Sequence, residues 1–199
     1  ADNPRIRAEV SYLITGGLGG LGLATAAWLA ERGARALVLM GRSLPTAGTQ
    51  ATINALRNQG CRVEVVQGDV ARFDNVLRAV DIAQALAPLA GVVHSAGALD
   101  DGALLQLNTQ RMEKVLGAKV NGAWHLHHCT RDLALDFFLI YGSVASILGA
   151  RGQANHAAAN AFLDAFAAWR RAQSLHAQSL PATTIAWGAW SQIGAAVRN

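Results

Sequence analysis

Positions 10–22, Val10-Ser11-Tyr12-Leu13-Ile14-Thr15-Gly16-Gly17-Leu18-Gly19-Gly20-Leu21-Gly22, carry an apolar run straight into a glycine-rich turn. Leu21, Ala24, Thr25 and Trp28 then recur at helical spacing until Gly33 supplies a C-terminal stop, so the segment reads as strand, glycine turn, helix. Glycines permit positive φ and close backbone approach, and the helix start offers unpaired N–H groups with a partial positive charge. A pyrophosphate suits that arrangement, and a dinucleotide is its natural carrier. Thr15, Gly16, Gly17, Gly19, Gly20, Leu21 and Gly22 are the candidate contacts.

The cycle repeats along the chain. Ala36 to Met40 reads as a strand, Ile53 and Leu56 fall in a helix ending near Gly60, and Val63 to Val66 is a third strand. Phe73, Val76 and Val80 mark a helix, Gly91 to His94 a strand, and Met112 to Thr130 a long helix that leads into the apolar Phe137 to Tyr141. A helix from about Gln153 to Gln173 and a strand from about Thr183 to Trp187 follow. Continuous apolar strands alternating with amphipathic helices predict a parallel sheet covered on both faces, a doubly wound, three-layer α/β/α domain of the Rossmann type.

At 199 residues, 52% hydrophobic and 15% charged, the chain suits one folded domain without an internal boundary. Its 17 Lys and Arg against 13 Asp and Glu are scattered, through Arg32, Arg35, Arg57, Arg111 and Arg151, so nucleic acid is not an expected partner. Such residues read as solvated surface. Cys61 and Cys129 fit neither a disulfide framework nor a metal spacing, and His125, His127 and His128 crowd one helix without a carboxylate or thiol at ligand spacing, so no metal is expected. No apolar stretch reaches the length that spans a bilayer, and the reading is a cytoplasmic protein without membrane contact. Trp28, Trp124 and Trp169 are read as helix-packing residues.

The second strand ends in Gly41-Arg42-Ser43 and lacks the acid that would bind a free ribose 2′-hydroxyl. Arg42 offers a guanidinium to a 2′-phosphate instead, which favours NADPH over NADH. After the third strand, Asp69-Val70 has two open readings: a polar turn at the adenine edge, or an acid at the N-terminus of the next helix.

Six motifs in order give the chain a family likeness: the Thr15–Gly22 turn, His94-Ser95-Ala96-Gly97, Lys119-Val120-Asn121-Gly122, Tyr141-Gly142-Ser143, Gly152-Gln153-Ala154-Asn155 with Asn160-Ala161-Phe162-Leu163-Asp164, and Trp187-Gly188-Ala189-Trp190. Over nearly its whole length the chain resembles the ketoreductase domains of modular polyketide synthases, within the short-chain dehydrogenase/reductase superfamily. The resemblance implies NADPH-dependent reduction of a β-ketoacyl thioester on the phosphopantetheine arm of an acyl carrier domain, among neighbouring synthase domains. It implies that Ser143 polarises the substrate carbonyl, that Lys119 and Asn160 carry exchanged roles typical of the polyketide group, and that Ala96 and Gly97 border the cofactor. Asn160 lies four residues beyond position 156, on the same helix face, where the two side chains are expected to share a relay or cofactor-ribose site. Leu99-Asp100-Asp101 looks like the signature of reductases giving the D-configured (B-type) β-hydroxyl, and the tryptophan indicating the opposite class is absent, since Leu148 stands there. Gln153 completes the expected substrate-side set. A solvated acidic turn is the competing reading of that loop.

One departure stands out. The family places tyrosine, its proton donor, at position 156, and this chain has His156. An imidazolium is a good acid near neutral pH, but imidazole is shorter than phenol and a neighbouring Lys119 disfavours its charged form. Three readings stand: a natural inactive scaffold domain, an engineered knockout, or a working variant that uses His156. The family's reductases also resemble two-part proteins with a structural subdomain, a lid helix and a seventh strand. None of these is recognised here; six strands are expected, with a lid beginning near Ala196–Asn199 and the substrate site completed from elsewhere.

Overall fold

A computed structural model of the protein, which describes residues 6–173 and 180–190, contains six parallel strands in one sheet among those residues. In chain order they alternate with helices: β1 (Ser11–Thr15), α1 (Gly20–Glu31), β2 (Ala36–Gly41), α2 (Ala47–Asn58), β3 (Arg62–Gln67), α3 (Phe73–Leu86), β4 (Leu89–His94), α4 (Thr109–Leu116), α5 (Gly122–Thr130), β5 (Phe137–Ser143), α6 (Ala145–Leu148), α7 (Ala154–Ala172) and β6 (Thr183–Trp187). The sheet order β3-β2-β1-β4-β5-β6 places β1 at the point where the order reverses. Register follows the strand ends: Thr15 lies beside Met40 on one side and His94 on the other. Residues 191–199, where a lid helix is expected to begin, lie outside the described residues.

The continuous apolar strands are buried because helices cover both faces. Leu37, Val38, Leu39 and Met40 of β2 are at most 1% exposed. Side chains of one parity pack under α1 and α2 with Leu29, Ile53 and Leu56. Those of the other parity meet α3, α5 and α7 through Val76, Leu126, Leu163 and Phe166. At the edge of the sheet β3 is only partly covered: Val63 is buried in the cluster under α1 and α2 and Val66 in the cluster on the opposite face, while Arg62, Glu64 and Gln67 are exposed. The stops at α1 and α2 are Schellman motifs: Ala34 N bonds Leu29 O while Gly33 N bonds Ala30 O, and Cys61 N and Gly60 N repeat the pattern on Leu56 O and Arg57 O. Gly33 and Gly60 take φ of 111° and 86° there, conformations that cost a side-chain-bearing residue.

Two helices differ from the sequence reading. In α1 the positions Leu21, Ala24, Thr25 and Trp28 are not the buried face: Ala24 is exposed, Trp28 is 46% exposed with the Arg32 guanidinium 5.0 Å from its ring, Leu21 and Thr25 are half-buried, and Gly22, Ala26, Leu29 and Ala30 face the sheet. The helix is apolar nearly all round, so periodicity carries no phase, and its smallest side chains take the closest packing. Trp124, by contrast, is a packing residue, 4.7 Å from the Trp169 ring and 5.3 Å from that of Phe166. The helix expected from Met112 to Thr130 begins earlier, at Thr109, because the Asn108 side chain accepts from Arg111 N at 3.0 Å and caps it. It is also interrupted by a π-helical turn at Gly117–Asn121, the kind of widened turn that recurs at functional sites. No helix among the described residues is long and apolar enough to cross a membrane.

Candidate active site

A cleft of about 980 Å³ crosses the carboxyl ends of the strands, from the start of α1 to the start of α7. In open α/β sheets this crevice, at the strand-order reversal, is where ligands bind.

At one end the wall is backbone. Gly16 holds φ +68°, and a Cβ on Gly22 would fall 2.3 Å from Gly16 O, so the strand, turn and helix meet too closely for a side chain. Gly19 caps α1 without a side-chain hydrogen bond, and no acid occupies the first turn, which leaves that turn's N–H groups and positive end available to an anion. A dinucleotide pyrophosphate fits this cradle. Gly16, Gly19, Gly20, Leu21 and Gly22 line the cleft. Gly17 does not: it packs between β1 and β2, where a Cβ would come 2.7 Å from Ile14 O and 3.1 Å from Leu39. Thr15 lines the cleft but commits its hydroxyl inward, 2.7 Å from His94 Nδ1. His94 Nε2 lies 3.4 Å from Lys119 O, which can only accept, so Nε2 carries the proton and Thr15 donates to Nδ1. Burial, then the charge of Lys119, pushes His94 down to about 3, and the ring stays neutral as a joint between β1, β4 and the π turn.

Arg42 and Ser43 reach the cleft at the end of β2, and Asp69 and Val70 at the end of β3. The reading of Asp69 as a helix N-terminal acid is corrected: α3 starts at Phe73 with Asp74 in its first turn, and Asp69 Oδ1 instead accepts from Ala71 N at 2.9 Å, closing its own turn. Ala96 and Gly97 follow β4 into the same cleft.

The other end is made of side chains. Lys119, in the middle of the π turn and 6% exposed, donates to Tyr141 O at 3.0 Å. Burial lowers its pKa to about 8 despite the opposing charge of Asp164. Ser143 ends β5, its Oγ accepting from Ala145 N at 3.2 Å. His156, in the first turn of α7, lines the cleft beside them. Its pKa is lowered, first by burial and then by Lys119, with Asp101 acting the other way. Asn160 shares its helix face but does not line the cleft; fully buried, it donates from Nδ2 to His156 O at 2.7 Å and braces the turn beneath the histidine. His156 Nδ1 and Asn160 Oδ1 are both buried without a protein partner.

On the substrate side Leu99 lines the cleft, whereas Asp100 and Asp101 turn away from it into bonds. Asp100 bridges Lys114 at 2.8 Å and Arg111 at 2.6 Å, and these partners hold its carboxyl below the usual range. Asp101 Oδ2 accepts from Gln153 Nε2 at 2.8 Å. This is an anchored loop, not a solvated acidic turn. Sequence reasoning passed over several residues of the wall, among them Lys114, Tyr141 and Trp187. Lys114 carried no signal beyond its charge, while Tyr141 and Trp187 stood inside quoted motifs without a site role. Their rings meet edge to face at 5.6 Å, and Tyr141 Oη lies 2.6 Å from Thr25 Oγ1.

The α5 histidines are engaged elsewhere, His125 with Val70 O, His127 with Arg170 and His128 stacked on Trp124. Among the described residues no group of three or more His, Cys, Asp or Glu is set to hold a metal.

Residues 10–192 match the ketoreductase (KR) domain family. The chain is 45% identical over 192 residues to a mycocerosic acid synthase-like polyketide synthase of Mycobacterium tuberculosis, covering 96% of this chain and 9% of that protein. It is 43% identical over 189 residues to a phthioceranic/hydroxyphthioceranic acid synthase of the same species, covering 94% of this chain and 9% of that protein. It thus spans about a tenth of the length of these relatives. Among solved structures, a ketoreductase domain from the bacillaene assembly line superposes with TM-score 0.89 at 36% identity, over 94% of this chain and 46% of that one. A structure of A-type ketoreductases from a modular polyketide synthase gives TM-score 0.90 at 37% identity, over 98% and 40%.

Proposed function

The chain belongs to the ketoreductase domain family of polyketide synthases, within the short-chain dehydrogenase/reductase superfamily, and from that membership we propose that it reduces a β-ketoacyl thioester to the β-hydroxyacyl thioester with NADPH. The observation that carries this reading is the convergence of Ser143, Lys119 and His156 at one end of a cleft whose other end is the glycine turn. When bound, NADPH supplies the hydride. The glycine turn and the start of α1 would hold its pyrophosphate, Arg42 and Ser43 its 2′-phosphate, and Asp69 and Val70 its adenine edge. Ala96, Gly97 and Lys119 would flank its ribose and nicotinamide.

The Ser143 hydroxyl donates to the substrate carbonyl and draws charge onto its oxygen. Lys119 places a cation beside the developing oxyanion. His156 stands where the proton must arrive, but burial and the Lys119 charge keep its imidazole neutral near pH 7, so the acid form is scarce. Effective general acid catalysis is worth about 10²- to 10⁴-fold, and we place this domain that far below a tyrosine-bearing relative. Leu99, Asp100 and Asp101 support the D-configured, B-type product. Likeness to A-type reductases extends over the whole fold, so configuration rests on this loop. The partners on this reading are an acyl carrier domain presenting the substrate on phosphopantetheine, a structural ketoreductase subdomain and other synthase domains, in the cytoplasm.

A second reading, a scaffold that keeps the fold without turnover, is favoured by His156, whose ring Nδ1 has no protein partner and whose charged form burial and Lys119 disfavour. NADPH oxidation with a small β-ketoacyl thioester separates the two. Turnover by the native protein that Ser143→Ala abolishes supports the enzyme; activity in His156→Tyr alone supports the scaffold.

A further inference from the structure

Arg111 reads in the sequence as one of several scattered surface cations, yet its guanidinium spends every side of its fork on one loop. Nε meets Asp100 Oδ1 at 2.6 Å, Nη2 donates to Asp101 O at 2.8 Å and Nη1 to Gln106 O at 3.5 Å. The fork lies so flat against that loop that a Cβ on Gly102 would fall 2.5 Å from Nη1. The backbone carbonyl of the residue faces α7 through a longer bond. Asn155, fully buried, donates from Nδ2 to Asp100 O at 2.8 Å and to Arg111 O at 3.5 Å, and its Oδ1 accepts from His156 N at 2.8 Å. Gly102 N donates to Gly152 O at 2.7 Å, a second tie between the loop and the approach to α7. An unbroken chain of bonds therefore joins Leu99, in the cleft wall, through Asp100, Arg111 and Asn155 to His156.

We propose that Arg111 is a positioning residue that registers the loop from Leu99 to Gln106 against the start of α7, and so fixes the side of the cleft from which an acyl thioester reaches Ser143 and His156. This rests on the ketoreductase reading of the same cleft. The chemistry asks for arginine: a planar fork serves a carboxylate and two carbonyls from three residues at once, whereas a lysine ammonium on a flexible stem serves the carboxylate without fixing the backbone. Lys114 already supplies the Asp100 carboxylate with a second cation, so charge alone is not what Arg111 adds.

The test compares Arg111→Gln and Arg111→Lys with the native intact protein. Amide hydrogen exchange over residues 99–106 should rise about tenfold or more in Arg111→Gln and by less in Arg111→Lys. With a small β-ketoacyl thioester, KM should rise about tenfold while kcat changes by less than about threefold, and the product should lose configurational purity. NADPH affinity should stay within about twofold, because Arg111 borders no part of the nucleotide end. Unchanged exchange overturns the proposal, as does faster exchange with KM and configuration intact. If neither the native protein nor His156→Tyr forms product, the reductase reading fails by itself. Arg111 is then judged by exchange together with the dissociation constant of the β-hydroxyacyl thioester, which should weaken about tenfold, and an unchanged constant refutes it.

Discussion

At the nucleotide end of the cleft the working feature is missing side chains, at Gly16, Gly19 and Gly22; at the reaction end, Lys119, Ser143 and His156 reach the cleft wall from a π turn, a strand end and a helix start. The first end is made from one continuous segment whose backbone would do the binding on the proposed reading. The second depends on three elements being held at the right separation. On the proposed reading the first end has no room for a side chain at Gly16 or Gly22, whereas the second would take a change of residue, such as histidine at position 156, with a loss of rate rather than of fold.

The sharpest way to break that contrast is to add one methyl at the nucleotide end. Gly22→Ala would set a Cβ 2.3 Å from Gly16 O, a backbone atom that cannot step aside. We expect a loss of roughly 3 kcal/mol of stability, at the upper end for overpacking, and at least about 100-fold weaker NADPH binding. Gly48→Ala, where nothing lies within 4 Å of the added carbon, should be neutral or stabilising, by up to about 1 kcal/mol, since alanine is the better helix former. Thermal denaturation and NADPH fluorescence titration measure both. Equal behaviour of the two variants would remove the argument that close approach shapes this turn.

The reaction end gives a second test through the buried charge of Lys119. Its pKa of about 8 in the folded protein lies below the ordinary 10.5, so the unfolded chain binds more protons between those limits. Stability should therefore rise as pH climbs from about 8 towards 10.5, because the burial penalty on the cation disappears as the amine loses its proton. Below about pH 8 the penalty is fully present. Relative to Lys119→Met, the native protein should gain roughly 3 kcal/mol across that window in denaturant titrations at several pH values. Parallel pH profiles for the two proteins would show that Lys119 is well solvated or paired.

The same contrast explains what could be read from residues alone. The strand, turn and helix pattern was legible because hydrophobic runs, glycine turns and Schellman stops are local, and the glycine cradle lies within one such segment. The face of α1 was not, since an all-round apolar helix has no phase and packing chose its smallest side chains. Asn160 was placed on the correct helix face, yet only three-dimensional packing shows it bracing His156 O from outside the cleft. Arg111 escaped entirely: its partners are the loop at 100–106 and the distant Asn155, and nothing in a scattered arginine announces either. Charge counts report how many cations there are, not what each one holds.

The smallest expected effect lies at the cofactor's far edge. Arg42 follows β2 into the cleft beside Ser43, where on the NADPH reading it would meet the adenosine ribose, and β2 ends without the acid that would take a 2′-hydroxyl. An arginine–phosphate contact at such an open site is a charge-assisted bond worth about 1.5 kcal/mol, close to a tenfold change in affinity. Arg42→Ala should therefore raise the NADPH dissociation constant about tenfold while leaving that for NADH within about twofold, a shift of preference with little change in fold. The NADPH effect should shrink with added salt, because an exposed ion contact is screened. An equal loss for both cofactors would move Arg42 to the pyrophosphate and make the nucleotide end less purely a backbone device. No loss for either would leave the glycine turn and the α1 N-terminus holding the dinucleotide alone, the most extreme form of the contrast between the two ends.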